Sequence, residues 1–249
     1  MHSVALTILP VGQIDADLSA LTPGTPPGSH VLVPVYAYLV TTPQSLILFD
    51  TGCSDLCRES PAAILGEDLP RLTPHLHPND HIRAQLLALG VTPDMIDLVV
   101  ISHGHFDHAG GAEAFPGRPF AVQREEWEAM TDGADPAANL IPAAPLTLLN
   151  GDTDLAPGVH LIATPGHTAG HQSLIVDLAS GPILVTSDAV YTAHHFHPDR
   201  VGASQDPQKA RESVQRLRAL AADGMRPFFS HDPVQAATEN WPLAPFRLN

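Results

Sequence analysis

Cysteine is almost absent: Cys53 and Cys57 are the two thiols in 249 residues. One C-x3-C pair is neither a disulfide framework nor a zinc-knuckle spacing, so free thiols are expected. Basic residues are scarce too, with 12 Lys and Arg against 27 Asp and Glu and a formal net charge of −15. Phosphate contacts need clustered Lys and Arg, which argues against a nucleic-acid partner. No apolar run approaches the roughly 20 residues needed to span a bilayer. The start, Met1 to Pro10, lacks a basic n-region and a small-residue cleavage site. A soluble cytoplasmic protein without a membrane partner is therefore expected. No repeat or low-complexity tract divides the chain, and 44% hydrophobic content is enough for a large core. Residues 1–249 are read as a single domain.

Histidine, by contrast, is plentiful, and it is not spread evenly. His103-Gly104-His105-Phe106-Asp107-His108 packs four metal-capable side chains behind the apolar run Ile96-Asp97-Leu98-Val99-Val100-Ile101-Ser102. Such a run ends a buried strand, and sites in open α/β folds lie at strand ends. Side chains two apart on extended backbone point the same way, so His103 and His105 can converge on one ion. A curl of the chain then aims Asp107 and His108 at a second. Imidazole and carboxylate donors suit borderline divalent metals.

Three downstream stretches repeat the pattern of a strand followed at once by a ligand type. They are Thr164-Pro165-Gly166-His167, Ser187-Asp188 and Phe228-Phe229-Ser230-His231-Asp232. A two-metal site needs donors of this kind beyond those of the first loop. His194, His195 and His197 form another cluster, but no strand end or carboxylate organises it, and it reads as a solvated rim loop. His75 and His77 read the same way.

The chain resembles the metallo-β-lactamase-fold hydrolases, whose signature is H-x-H-x-D-H followed by separate His, Asp and His ligands. More narrowly, Ser102 to Gly111, Thr164 to Ser173 and Asp188-Ala189-Val190-Tyr191 look like the N-acyl-homoserine lactonases, the quorum-quenching branch. The resemblance implies that His103, His105 and His167 hold one zinc, that Asp107, His108 and His231 hold the other, and that Asp188 bridges. It also implies that Asp50, in the Asp50-Thr51-Gly52 turn, supports the site from behind; a carboxylate there would fix the tautomer of a ligating histidine. Gly104 departs from the leucine expected between the first two histidines, which leaves the width of the site open. Cobalt, manganese or iron would accept the same ligands as zinc.

Strand candidates fall at 4–9, 31–40, 45–50, 97–102, 119–122, 146–149, 159–163, 172–178, 182–187 and 227–230. Helices are expected at 80–89, 124–131 and 207–222, the last with Asp206 as N-cap, proline at the first position and Gly224 just past the end. These intervals fit an α/β chain and the four-layer αββα sandwich that the resemblance implies. Spacing alone leaves a doubly wound single sheet open.

Two ions roughly 3.5–4 Å apart can share a water and lower its pKa towards about 7, so hydrolysis by a metal-bridging hydroxide is the natural reaction class. For a lactone, a carboxylic ester, Tyr191 would donate to the developing oxyanion and Asp107 would shuttle a proton to the leaving oxygen. Phe106, Ile64, Leu65 and Leu69 are candidates to line an acyl groove. Two other readings share the signature: an ester or thioester hydrolase of the glyoxalase II type, and a metal-binding sensor without turnover. The first usually adds a basic C-terminal helical segment, and the second would lack a ligand. The proline-rich 21–34 segment is a candidate homodimer surface.

Seven ligands exceed the needs of one tetrahedral ion. Elemental analysis after reconstitution in excess metal should therefore find two equivalents per chain, and a ceiling of one would remove the binuclear reading.

Overall fold

The computed structural model describes residues 4–132, 141–142, 144–238 and 245–249. The chain opens on β1 (Ala5–Asp17), the four-residue α1 (Leu18–Leu21), β2 (His30–Thr41) and β3 (Leu46–Phe49). Short helices α2 (Asp55–Glu59) and α3 (Pro61–Leu65) precede β4 (Leu72–His75) and α4 (Ile82–Ala88). Then come β5 (Leu98–Val100), β6 (Phe120–Gln123), α5 (Arg124–Asp132) and β7 (Leu146–Leu149). The second half holds β8 (Thr153–Ala156), β9 (Val159–Ala163), β10 (Gln172–Leu178), β11 (Gly181–Val185) and α6 (Pro207–Ala222). It closes with β12 (Arg226–Phe228), α7 (Pro233–Thr238) and β13 (Phe246–Leu248).

These strands form two sheets, one in the order β13-β1-β2-β3-β5-β6-β7 with β4 also on β1, the other β12-β11-β10-β9-β8. Period-two alternation distributes their side chains over three apolar layers. Tyr36, Tyr38 and Val40 of β2 and Phe49 of β3 meet Leu174, Val176, Val185 and Phe228 between the sheets. From the same strands Val35, Ala37, Leu39 and Leu48 turn the other way, onto Ile82 and Leu86 of α4. Ile175 and Leu184 cover the far face of the smaller sheet against Val214 and Leu217 of α6. The result is helix, sheet, sheet, helix: the αββα sandwich, not the doubly wound sheet. Because β2 is buried on both faces from Val33 to Val40, it reads there as a continuous apolar run.

Several elements differ from the sequence expectation for identifiable reasons. The strand expected at 4–9 runs on to Asp17 as β1, because the register with β2 shifts between Pro10 and Gly12, where a bulge absorbs the proline. No strand or helix is expected between 53 and 77, yet that stretch holds α2, α3 and β4, and β4 pairs antiparallel with β1 at Gln13 to Ala16. β8 and β13 are too short, four and three residues, to announce themselves by pattern; β13 is held by its pairing with β1, Leu6 opposite Leu248. The helix expected at 80–89 is shorter, Ile82–Ala88, with His81 as its N-cap. The α6 signals act as expected, with Asp206 accepting from the amides of Gln208 and Lys209 and Gly224 left-handed at φ 101°.

Asp17 ends β1 and caps α1, with Oδ1 accepting from Ser19 N at 2.8 Å and Oδ2 from Gly28 N at 2.7 Å. The Gly28 amide, then the Ser19 amide, hold its carboxyl down from the ordinary 3.8 to about 2. The folded value lies below the unfolded one, so this stabilisation is complete above about pH 4 and disappears as pH falls through about 2. Asp17→Ala should lower the denaturation midpoint at neutral pH and let the variant and parent curves converge towards pH 2. Curves that stay parallel down to that pH would contradict the cap.

Candidate metal centre

All the ligand candidates sit on loops at one end of the two sheets. The loop after β5 carries His103 to His108, tightened by His108 N and Ala109 N donating to His105 O. His167 lies on the turn between β9 and β10, where Gly166 takes φ 130° and a Cβ would stand 2.2 Å from Ala210 N of α6. Asp188 is in the single 3-10 turn Ser187–Ala189 after β11, and Ser187 is left-handed at φ 45°. His231 follows β12, its amide donating to Tyr191 O at 3.0 Å.

Two groups of donor atoms result: His103, His105, His167 and Asp188 in the first, and Asp107, His108 and His231 in the second. In the first, Nε2 of His167 is 3.2 Å from Nε2 of His103 and 3.0 Å from Nδ1 of His105, and the latter two are 3.0 Å apart. Nitrogens around one tetrahedral zinc at 2.0–2.1 Å would be about 3.3 Å apart, so these atoms face a common point at close to the right spacing. Asp188 divides its carboxylate between the groups. Oδ2 lies 3.6 Å from His103 Nε2 and 3.5 Å from His167 Nε2, while Oδ1 lies 3.2 Å from His108 Nε2 and 3.1 Å from His231 Nε2. Asp107 Oδ2 completes the second group, 3.7 Å from His108 Nε2 and 3.5 Å from His231 Nε2. Nε2 of His108 is buried yet makes no well-angled hydrogen bond, an orphan that a cation would satisfy. The donors therefore fit two divalent ions.

The far nitrogens are fixed. His103 Nδ1 meets Ser102 Oγ at 2.9 Å, His108 Nδ1 meets Asp50 Oδ2 at 2.8 Å, His167 Nδ1 meets Ala203 O at 3.0 Å and His231 Nδ1 meets Pro34 O at 2.7 Å. An Nδ1–H donated to an oxygen leaves Nε2 with its lone pair towards the centre. Asp50 does more than hold one ring. Its carboxylate also accepts from Ser102 N at 2.7 Å and Ser102 Oγ at 2.8 Å, tying the start of the ligand loop to its end. Asp50 is itself left-handed, φ 62°.

Electrostatics separates the groups. Burial holds His103 well below the ordinary imidazole range and His167 at about 3, so both are neutral donors. Burial also works to lower His108 and His231, but the carboxylates of Asp188 and Asp107 outweigh it and raise both. Burial would raise Asp188, and the His108 and His231 imidazoles overcome it and hold that carboxyl well below the usual range. A cation in the second group thus competes with protons, as metal ligands generally require.

A cavity of about 400 Å³ opens onto the centre, with His105, Asp107, His167, Asp188 and His231 at its base. Ile64, Leu65 and Phe106 line its walls, as do Ile14, Leu21, Val33 and Leu72. Leu69 is not among the lining residues: its carbonyl accepts from Thr73 Oγ1, and Leu72 takes the wall position instead. Tyr191 lines the cavity with its hydroxyl 3.2 Å from both Ala203 O and His167 Nδ1. Gly104 does not widen the cavity, since a Cβ there would meet Met130 Cγ at 2.6 Å on the side of α5. His195 is buried away from the ligand groups, between Thr22 Oγ1 and Thr192 Oγ1 at 2.9 Å each. Cys53 and Cys57 are free and buried.

Two supporting residues lie inside stretches singled out in the sequence without an expected role there. His171 is buried, accepts from Asp188 N at 3.0 Å through Nε2 and meets Thr164 Oγ1 through Nδ1. Ser230 donates from Oγ to Asp188 Oδ1 at 2.8 Å. Their adjacency to His167 and His231 in the chain is the nearest thing to a clue.

The two-sheet fold and the paired donor groups define a metallo-β-lactamase-type hydrolase, and the metallo-β-lactamase superfamily model matches residues 30–223. The chain belongs to that superfamily, and within it to the N-acyl homoserine lactonase family. It is 35% identical to the N-acyl homoserine lactonase AiiA of Bacillus thuringiensis subsp. kurstaki over 91% of this chain and 92% of the relative. It is 30% identical to the lactonase AttM of Azorhizobium caulinodans over 97% and 96%. Among solved structures, an N-acyl homoserine lactone hydrolase with the product N-hexanoyl-L-homoserine at its catalytic metal centre superposes with a TM-score of 0.89. The two are 33% identical, with 96% of this chain and 97% of that one covered.

Asp188→Ala should strip metal from both groups and abolish nearly all hydrolysis, whereas Asp188→Asn should keep part of the metal with little turnover. Metal content measured on the same preparations as activity decides this, and a fully active Asp188→Ala protein would take Asp188 out of the site.

Proposed function

We propose that the protein is a binuclear metal-dependent lactonase that opens the ring of N-acyl-homoserine lactones, with residues 1–249 acting as one hydrolase domain. The observation that carries this reading is the division of one buried carboxylate, Asp188, between two imidazole groups at the base of an apolar-walled cavity. The lactonase names of relatives that match over nine-tenths of the chain support the substrate class. Pairing of β13 with β1 supports the single domain.

His103, His105 and His167 would hold one ion, Asp107, His108 and His231 the other, with Asp188 shared and zinc as the metal this donor set favours. Bound there, the pair supplies the Lewis acidity that activates a water and polarises an ester carbonyl. The chain's own groups do the rest. Apolar walls at Ile64, Leu65 and Phe106 take the acyl tail and leave the polar ring for the base of the cavity. Burial pushes the Tyr191 hydroxyl well above its ordinary pKa of 10, so it remains protonated and can donate to the carbonyl oxygen as negative charge develops there. Water adds to the carbonyl carbon and gives one proton to Asp107, the ring C–O bond breaks, and Asp107 hands that proton to the departing oxygen. Among the described residues no helix is long and apolar enough to cross a membrane. A cytoplasmic location is proposed for the protein, and Leu32, exposed in the 21–34 segment, marks the candidate homodimer surface.

Proton release from acyl-homoserine lactones, thioesters and a β-lactam, followed with the metal-loaded protein, tests the reading. Turnover confined to lactones is expected. Thioester preference would move the protein to the glyoxalase II type, and silence on every substrate with two metals bound would make it a sensor. Tyr191→Phe should keep both metals and lower kcat by about tenfold to a thousandfold, the upper end being what one oxyanion donor contributes. Unchanged kcat and KM would refute the role of Tyr191 alone.

A further inference from the structure

We propose that Glu126 is a positioning residue that fixes the spacing of the first ligand group across the two sheets, an inference that rests on the two-metal reading. That group takes His103 and His105 from the loop after β5 in the larger sheet and His167 from the β9–β10 turn in the smaller one. Its nitrogens are 3.0–3.2 Å apart, so a slip of one loop against the other by a few tenths of an ångström disturbs the polyhedron directly.

Glu126 lies in the first turn of α5 and is only 2% exposed. Its carboxylate spans the two loops. Oε1 accepts from Gly104 N at 2.8 Å, between the two histidines of the first loop, and Oε2 accepts from Gly170 N at 2.9 Å, three residues after His167. Both loops present glycine where they meet α5. A Cβ on Gly170 would stand 2.3 Å from Glu126 N, and one on Gly104 would stand 2.6 Å from Met130 Cγ one helical turn on. At Gly170 the approach is limited by the backbone of α5 itself, whereas at Gly104 a side chain would have to displace the Met130 side chain.

Other ties between the loops act elsewhere. Gln172 joins their bases, with its amide donating to Ser102 O at 3.1 Å and Nε2 donating to Ile101 O at 2.8 Å. The second group is held by Asp50 at His108 and by Pro34 O at His231, groups that Glu126 does not touch. Ala203 O and Gln205 N hold the His167 side and Ser102 Oγ the His103 side, whereas the Glu126 carboxylate bonds to both tips at once. Hydrogen bonds from amides to a carboxylate are about twice as strong as neutral ones, and losing this acceptor leaves two buried N–H groups unpaired. Glu126→Gln preserves shape but can accept on one side only, because its NH2 faces the other amide donor to donor.

The test titrates the metal-free protein with cobalt(II), following the visible bands and competing with a chromophoric chelator to obtain both stepwise affinities. His167→Ala, which removes a ligand from the first group, identifies that group's step. Glu126→Gln should weaken the first-group step by about tenfold to a hundredfold, the usual range for a residue that supports a metal ligand from outside, and leave the second step in place. Glu126→Ala should weaken it further, and Glu128→Gln, exposed on the same helix, should match the parent. Unmoved affinities, or a loss shared equally by both steps with a lowered Tm, would overturn the assignment. Should Glu126→Ala fail to fold, the isosteric Gln variant decides. A parent protein that binds only one equivalent of cobalt refutes the two-metal reading and this inference with it, whereas two bound equivalents with an unmoved Gln variant refute only the role of Glu126.

Discussion

One buried carboxylate sets the terms for the rest of the molecule. Asp188 is nearly inaccessible, and each of its oxygens faces a different pair of imidazoles. A charge in that position is tolerable only if every lone pair finds a partner, since an unpaired buried carboxylate costs several kcal/mol. Ser230 donates to Oδ1 and His171 anchors the backbone by accepting the Asp188 amide, while the remaining lone pairs face the two imidazole groups, where cations would satisfy them. Even the backbone gives way, with Ser187 held left-handed at φ 45° so that the next residue points inward.

The sandwich explains why such a centre stands where it does. Loops at one end of two packed sheets approach from opposite sides, and each sheet is rigid because its strands are buried on both faces. Rigid bases alone do not set side-chain atoms to a few tenths of an ångström. Polar ties at the loop ends do that: Asp50 across the first loop, Pro34 O and Ala203 O behind two of the histidines. Placing ligands on short loops held by such ties is how a scaffold converts strand order into donor geometry.

Much of this was legible in the chain because the informative residues are chemically unusual and sequentially clustered. His103 to His108 follow a strand in one uninterrupted stretch, and the doubly buried strands announce themselves by unbroken Val, Ile and Leu. What escaped is ordinary by composition. Glu126 sits in a helix among other acidic residues, and nothing in Arg124-Glu125-Glu126-Trp127 marks the one carboxylate that turns inward. β4 reads Leu72-Thr73-Pro74-His75 and β8 reads Thr153-Asp154-Leu155-Ala156, too polar to signal strands that tertiary pairing nonetheless supports. Leu69 and Leu72 are indistinguishable by type, and only the course of the chain through 66–72 puts the second on the cavity wall. Gly104 suggests extra room when seen alone, and Met130, far along the chain, fills it.

In the proposed lactonase reaction, Tyr191 would be a satisfied group that still serves the chemistry. Its hydroxyl has Ala203 O and His167 Nδ1 at 3.2 Å each, and burial keeps it protonated. A neutral carbonyl acceptor holds such a donor only modestly, by about 0.5–1.5 kcal/mol net, whereas a charged oxygen holds one by about 1.5–3 kcal/mol. With a neutral ester in the cavity the hydroxyl therefore gains little by leaving Ala203. It gains once charge has moved onto the substrate oxygen, so the exchange favours the transition state over the ground state. That difference, and not the strength of either bond, is what raises kcat. On the proposed mechanism the bond to Ala203 O would thus not compete with catalysis; it would hold the ring and its proton beside the cavity until an oxyanion forms.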